Sequence, residues 1–441
     1  MLVAFGLNVL AAALPSGDFA TNGHDAVKQD GSPVKQKFIT EAKMDSNENI
    51  STRATFMRGG TSKGIFFTPE DLPIEVRSDA GMLDRFMLRV VGSPDPYGKQ
   101  IDGMGAATSS TSKVVLVSKS SRENCDVDYV FGAVSIERAV VDWSGNCGNL
   151  TSAVGPFAIA RGLVTPTEPN GIAVVRIWQA NIGKRILAHV PLANNKVVEI
   201  GDFELDGVTF PAAEIKLEFL DLGADEGSEE DAMFPTGNLI DTIDVPNVGK
   251  VKATLINAGN PTIFVDAVSI GLTGIETQMM INSDLALLGR LEAIRAHATV
   301  AMGMAASAID ATEKRPHTPK IAFVAKSQSY TSSNGKDVPA SSIDIVARIM
   351  SMGQLHHAMT GTGAVAIAAA ASIPGTLVSR LLDRGANGQV RFGHPSGTLA
   401  VGAEAKEVGG AWIITRAVMS RTARRLMDGH VFVPAVWGAN S

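Results

Sequence analysis

The chain reads as an α+β protein of two halves, each made of several antiparallel strands and one buried small-residue helix. Its 441 residues are too many for one ordinary core, so two domains of similar size are the default. Short strand-like runs bounded by turn residues recur in both halves. Two tight glycine turns, Cys147-Gly148-Asn149 and Thr360-Gly361-Thr362-Gly363, each run into a segment of small residues apolar on every side, 150–162 and 364–371. A helix apolar all round must be buried all round.

The elements follow in order. Residues 2–14 are apolar, but no Lys or Arg precedes them, and the stretch to Asn49 is polar. A targeting segment stays open; the favoured expectation is a disordered extension over 1–50, with Met44 just ahead of the first strand. The first domain, expected over 51–255, carries strands at 52–57, 64–67 and 113–117, then a hairpin of 172–179 and 185–191. Acidic, turn-rich stretches such as 221–231 read as surface loops. The second half opens as strand 251–256, turn Asn257-Ala258-Gly259-Asn260-Pro261 and strand 262–265, and the second domain is expected over 256–441. Residues 283–305 have helical periodicity behind a Ser-Asp start. Strands at 319–325 and 343–348 follow, then 389–392 and 398–402 around His394-Pro395-Ser396-Gly397, and finally 411–416.

Composition excludes several classes. The net charge is −6, so no basic face for nucleic acid is expected, and any anion must be held by local dipoles and a few placed cations. Two cysteines, Cys125 and Cys147, make no disulfide framework and point to a reducing, cytoplasmic compartment. No run reaches the ~18 apolar residues of a membrane helix. His356 and His357 are adjacent, and neither HExxH nor paired CxxC occurs, so no metal is expected. Residues 361–366 loosely fit a dinucleotide fingerprint, with Asp383 downstream, but no strand leads into them. No cofactor is expected.

Several groups could carry chemistry. The two helix starts offer unpaired N–H groups and positive dipole ends, a ready site for a multiply charged carboxylate. In Ser109-Ser110-Thr111-Ser112-Lys113, hydroxyls could hold a carboxylate, and a lysine at a pocket rim can act as a base where burial favours its neutral form. The residues alone leave a hydroxyl-rich loop with a solvated lysine as the simpler reading. Arg58-Gly59-Gly60-Thr61-Ser62-Lys63-Gly64 is either a hairpin turn or an anion nest. Cys147, one residue before a helix start, sits where a thiol is activated. Asn257, Asn260 and His394 lie in turns and could be structural or carboxylate donors.

Taken together, the run 92–105, Ser109 to Lys113, Cys147-Gly148-Asn149, Asn257 to Pro261 and Thr360 to Ala364 resemble the PrpF family of methylaconitate isomerases, from Thr52 to the C-terminus. The resemblance implies the fold of diaminopimelate epimerase: two pseudo-symmetric domains, each a mostly antiparallel β-barrel-like sheet around a central buried helix, with the active site in the cleft between. The epimerases use one cysteine from each half. Cys147 falls at the first position and Thr360 at the second, so two-thiol epimerisation is not expected. Lys113 is the implied base, with Cys147 beside it. Thr61, Ser62, Lys63, Ser109, Ser112, Gly148, Asn149, Asn257, Asn260, Thr360, Gly361, Thr362, Gly363 and His394 are expected to bind a small unsaturated di- or tricarboxylate. The implied reaction moves or rotates the double bond of aconitate (cis to trans) or 2-methylaconitate without a cofactor. Methylitaconate delta-isomerase, oxalomesaconate tautomerase and a non-catalytic partner of a dehydratase stay as alternatives, and a homodimer is left open.

Overall fold

The computed structural model describes residues 49–222, 232–383 and 388–435. The expected extension, apart from Asn49 and Ile50, and most of the acidic loop 221–231 lie outside them. The architecture is mixed α+β and dominated by strands.

β1 (Asn49–Gly59) and β2 (Ser62–Phe67) form a hairpin. Helix α1 (Ala80–Val91) leads over to β3 (Lys113–Lys119), which lies parallel to β2 with Ile65 opposite Val114. β4 (Val127–Val134) returns antiparallel to β3. Helix α2 (Gly148–Ala160) follows, then β5 (Gly171–Gln179), parallel to β4. β6 (Lys184–Ala193) and β7 (Glu214–Leu222) extend the sheet antiparallel.

The same order then recurs. β8 (Gly249–Ala258) and β9 (Asn260–Asp266) form a hairpin. Helix α3 (Leu285–Ala301) leads to β10 (Lys320–Lys326), parallel to β9 with Thr262 opposite Lys320. β11 (Ile345–Ser351) returns antiparallel, helix α4 (Gly361–Ser372) follows, and β12 (Gln389–His394) lies parallel to β11. β13 (Gly397–Val408) pairs with the long β14 (Ala411–Pro434). β14 also pairs with β7 and β1, so the end of the chain closes the sheet of its beginning.

Side-chain alternation explains the layers. In β3, Val115 and Val117 face the core around α2, while Val114 and Leu116 pack with Phe86 and Met87 of α1. In β10, Ala322 and Val324 face the core around α4, and Ile321 and Phe323 pack with Leu291 and Ile294 of α3. Strands covered on both faces read as unbroken apolar runs. Every residue of α2 from Gly148 to Ala158, and of α4 from Gly361 to Ala371, is buried, as the all-round apolar patterns require. Side chains such as Phe66 and Phe157, tilted against each other with ring centroids 5.3 Å apart, each contribute roughly 1.5–3 kcal/mol of burial.

The helix expected at 283–305 spans Leu285–Ala301, with Asp284 Oδ1 accepting from Leu287 N at 2.9 Å. The strand expected at 411–416 runs on to Pro434. Arg421, Arg424 and Arg425 interrupt its apolar pattern, and Arg424 and Arg425 are exposed, which hides the strand.

Candidate active site

The ends of both hairpins, both parallel strands and both central helices converge. The positive ends of α2 and α4 abut: a Cβ built on Gly148 would lie 2.8 Å from Gly361 C and Thr362 N. A Cβ on Gly361 would lie 2.6 Å from Asn149 N. Only glycine at both positions lets the backbones approach so closely.

Each helix is capped by the side chain before it. Cys147 Sγ accepts from Leu150 N at 3.5 Å, and Thr360 Oγ1 accepts from Gly363 N at 3.2 Å. The first two N–H groups of each helix take no part in these caps. A reciprocal pair ties the halves: Asn146 N donates to Asn260 Oδ1, and Asn260 Nδ2 donates back to Asn146 O, both at 2.8 Å. Asn260 Nδ2 also reaches Thr362 Oγ1 at 3.1 Å. On the other side, Asn149 Nδ2 donates to Thr61 Oγ1 (3.0 Å) and to Met359 O (3.1 Å).

Lys113 is buried at the first position of β3. Its Nζ donates to Ser62 Oγ at 2.9 Å and to Cys147 Sγ at 3.3 Å, and lies 5.8 Å from the centroid of the Phe131 ring. Burial opposes ionisation of the Cys147 thiol. The Lys113 ammonium, the Leu150 N–H and Ser62 outweigh it and hold the thiol below its ordinary range. Amine and thiol thus form a hydrogen-bonded pair.

Other expected residues sit apart from that pair. Lys63, one position along β2, points to the opposite face and lies over the Phe56 ring at 5.5 Å. Ser112 Oγ lies 2.7 Å from Gln100 Oε1 and 2.9 Å from Thr108 O, holding the loop before β3. Ser109 is half-buried in the same loop. Asn257 is half-buried, with its backbone N–H on Met233 O at 2.8 Å. His394 is buried in its hairpin, and burial, with Arg348 and Arg421 nearby, pushes it down to about 3, so the ring is neutral.

Four groups escaped the sequence reading. Ser110 Oγ lies 3.2 Å from His356 Nε2 and 3.2 Å from His357 Nδ1, and the two rings stack with centroids 4.7 Å apart. Burial first, then His357 and Lys113 for His356 and Lys113 for His357, hold both rings below the usual histidine range. Arg421 of β14 is 1% exposed. Its Nε donates to Asn149 Oδ1 at 3.0 Å, while its buried Nη2 has no hydrogen-bond partner among the described residues. Burial lowers it only to about 10, so it stays charged. Lys320, at the first position of β10, is 2% exposed, and its Nζ reaches His317 O at 3.2 Å and His317 Nδ1 at 3.4 Å. Among the described residues no group of His, Cys, Asp and Glu is placed to hold a metal ion, and no helix is long and apolar enough to cross a membrane.

Two helix dipoles and two buried cations therefore meet where the described ion pairs supply no carboxylate to Lys113 or Arg421. Such a site suits a small anion with several carboxylates. The family model described as PrpF protein matches residues 49–434. The chain belongs to the PrpF family. A family relative from Cupriavidus necator, a 2-methyl-aconitate isomerase, is 58% identical over 387 residues, 87% of this chain and 98% of the relative. The crystal structure of a methylitaconate-delta-isomerase superposes with a TM-score of 0.68 at 38% identity, covering 89% of this chain and 98% of that one. A probable proline racemase from Agrobacterium radiobacter, 14% identical with a TM-score of 0.50 over 86% of this chain and 92% of its own, shares the fold alone.

Proposed function

We propose that this chain is a cofactor-independent isomerase of an unsaturated tricarboxylate, 2-methylaconitate or aconitate, and that Lys113 is its base. One observation carries the reading: a buried amine hydrogen-bonded to a thiol at 3.3 Å, beside two abutting helix starts. Transfer of one proton from the Lys113 ammonium to the Cys147 thiolate leaves a neutral amine. That amine removes an allylic proton from the substrate. The electron pair delocalises through the double bond into a carboxylate. N–H groups of Gly148, Asn149, Gly361 and Thr362 stabilise the charge that develops there. The Arg421 guanidinium holds a second carboxylate. Return of a proton to another carbon moves the double bond; return after rotation changes its geometry.

The order of elements supports the finer architecture too: two lobes, each a barrel-like sheet around its helix, with β14 crossing back to the first; the expected 255/256 boundary falls inside β8, so the second lobe begins ahead of that strand. The two free cysteines fit a cytoplasmic setting. A second reading, 3-methylitaconate as substrate, rests on the likeness to the methylitaconate isomerase structure. NMR of the products from 2-methylaconitate, cis-aconitate and 3-methylitaconate in D2O tests both. Lys113→Ala is expected to lose about 10²–10⁴-fold in rate, the usual share of a general base. A Lys113→Ala protein with full rate would overturn the assignment of the base.

A further inference from the structure

Lys113 has a counterpart in the other half of the chain. β3 reads Lys-Val-Val-Leu-Val-Ser-Lys and β10 reads Lys-Ile-Ala-Phe-Val-Ala-Lys, with the same run of six buried residues and one exposed. Both strands lie parallel to the second strand of a hairpin, and both begin on a buried lysine. In each, the lysine shares the strand face that packs toward a central helix: Val115 and Val117 beyond Lys113, Ala322 and Val324 beyond Lys320. The strand beside Lys320 begins with Asn260, which reaches Thr362 at the start of α4. The strand beside Lys113 begins with Ser62, which receives the Lys113 amine.

The Phe131 ring connects the two amines. Lys320 bonds His317, whose ring packs tilted against Phe131 with centroids 5.2 Å apart. Lys113 Nζ lies over that same Phe131 ring. The surroundings of Lys320 are unusual for a structural lysine. Among the described residues its hydrogen-bond acceptors are one carbonyl and one imidazole, and the buried His317 Nε2 has no hydrogen-bond partner. The acid that acts on it, Asp142, is already engaged by the N–H groups of His317 and Ser144, both at 2.8 Å. Lysine is almost never fully buried unless paired. Burial, reinforced by the Lys113 ammonium, lowers Lys320 to about 7, so both protonation states are accessible near neutral pH.

We propose that Lys320 is the second proton-transfer group of the isomerase, returning a proton to the intermediate that Lys113 creates, from the opposite half of the chain. The inference rests on the isomerase reading above. Lys113 as free amine takes one proton from the allylic carbon, and that C–H electron pair enters the conjugated carboxylate. The Lys320 ammonium gives one proton to the carbon that becomes saturated, and the pair forms the new C–H bond. One amine gains a proton and the other loses one, so the charge of the site is unchanged. Re-equilibration with water restores both before the next turnover.

The test follows hydrogen in D2O with the full chain and whichever acid of the panel it isomerises. In a single turnover, the wild-type product is expected to carry solvent deuterium at its new C–H. Lys320→Gln is expected to lose at least about 100-fold in isomerisation, while exchange of the substrate's allylic hydrogen, driven by Lys113, stays within about threefold of wild type. Lys113→Gln is expected to lose that exchange. Equal losses of exchange and isomerisation in Lys320→Gln, or no loss of either, overturn the proposal. Should that variant not fold, wild type still decides: quantitative carry-over of the substrate's own label shows one base and overturns it. A wild-type chain that neither exchanges nor isomerises any of the acids overturns the isomerase reading itself, whereas isomerisation with internal return removes Lys320 alone.

Discussion

Gly361→Ala probes whether the abutting helix starts matter to the reaction. The backbone of Gly361 is in the helical region, so alanine brings no left-handed strain there. Helix propensity alone favours alanine by up to about 1 kcal/mol. Against that, the new methyl would sit 2.6 Å from Asn149 N and 2.8 Å from Gly148 Cα, both backbone atoms of the opposite helix start. Restoring ordinary van der Waals separation needs a shift of about 1 Å, since carbon contacts are optimal near ~3.5–4.0 Å. Flexible side chains could yield; here two capped helix ends must move apart. Overpacking of this kind costs about 1–3 kcal/mol, so the net loss of stability is between about 0 and 2 kcal/mol.

The effect on rate is expected to be larger. Moving one set of N–H groups about 1 Å from the charge they stabilise costs about 10²-fold. Urea unfolding and steady-state kinetics on 2-methylaconitate or aconitate read the two quantities separately. The expected result is a well-folded variant with kcat/KM reduced about 100-fold. Gly148→Ala, whose Cβ would meet Gly361 C and Thr362 N at 2.8 Å, should behave alike. Unchanged kcat/KM in both variants would refute the idea that the two helix starts act on one substrate.

Two further outcomes follow from single side chains. Arg421→Met should raise KM by about 10–100-fold with a smaller change in kcat, because a charged hydrogen bond to a carboxylate contributes about 1.5–3 kcal/mol; an unaltered KM for the tricarboxylate removes Arg421 from the binding site. Glu218 on β7 accepts from Arg416 Nε at 2.7 Å and pairs with Lys216 Nζ at 2.9 Å, and these bonds hold it down at about 2. A carboxyl held below its ordinary value near 4.5 stabilises the fold above that pH and loses its contribution as pH falls toward 2. Glu218→Gln should therefore cost about 1–2 kcal/mol at pH 7, after allowance for solvent screening, and nothing near pH 2, read by urea midpoints at both pH values.

Much of the geometry of the candidate site was legible in the sequence because local signals for helix starts and burial coincide there. The glycine turns before α2 and α4 mark helix starts, all-round apolarity marks burial, and Cys147 and Lys113 meet at 3.3 Å. Lys63 shows the limit of reading a cluster as a unit: strand alternation sends it to the far face while Ser62 takes the amine. Ser112 and Ser110 divide the same way, one bracing the loop and the other meeting two histidines. Arg421 was hidden because it lies in a strand whose flanking arginines are solvated, and a single sequence does not distinguish the buried one. Lys320 was hidden for another reason. Its strand reads as core on both faces, and only the parallel register with β9 aligns it with Lys113.

The repeat also explains why one half ends its turn with a thiol and the other with a hydroxyl. Capping asks only for a side-chain acceptor, and Cys147 Sγ and Thr360 Oγ1 both supply one three residues ahead of the N–H they receive. Fold stability alone therefore leaves either position free to be Cys or Thr. Proton transfer does not, because a hydroxyl beside no strong base stays neutral while a thiol beside an ammonium ionises. A two-thiol mechanism, inverting one tetrahedral carbon, needs an ionisable group at both caps. An allylic transfer needs a base near one carbon and a donor near another, the roles proposed for Lys113 and Lys320, while the caps sit at the helix starts proposed to bind charge. The asymmetry between Cys147 and Thr360, set against the equivalent strand positions of Lys113 and Lys320, fits the proposed isomerase of a conjugated acid.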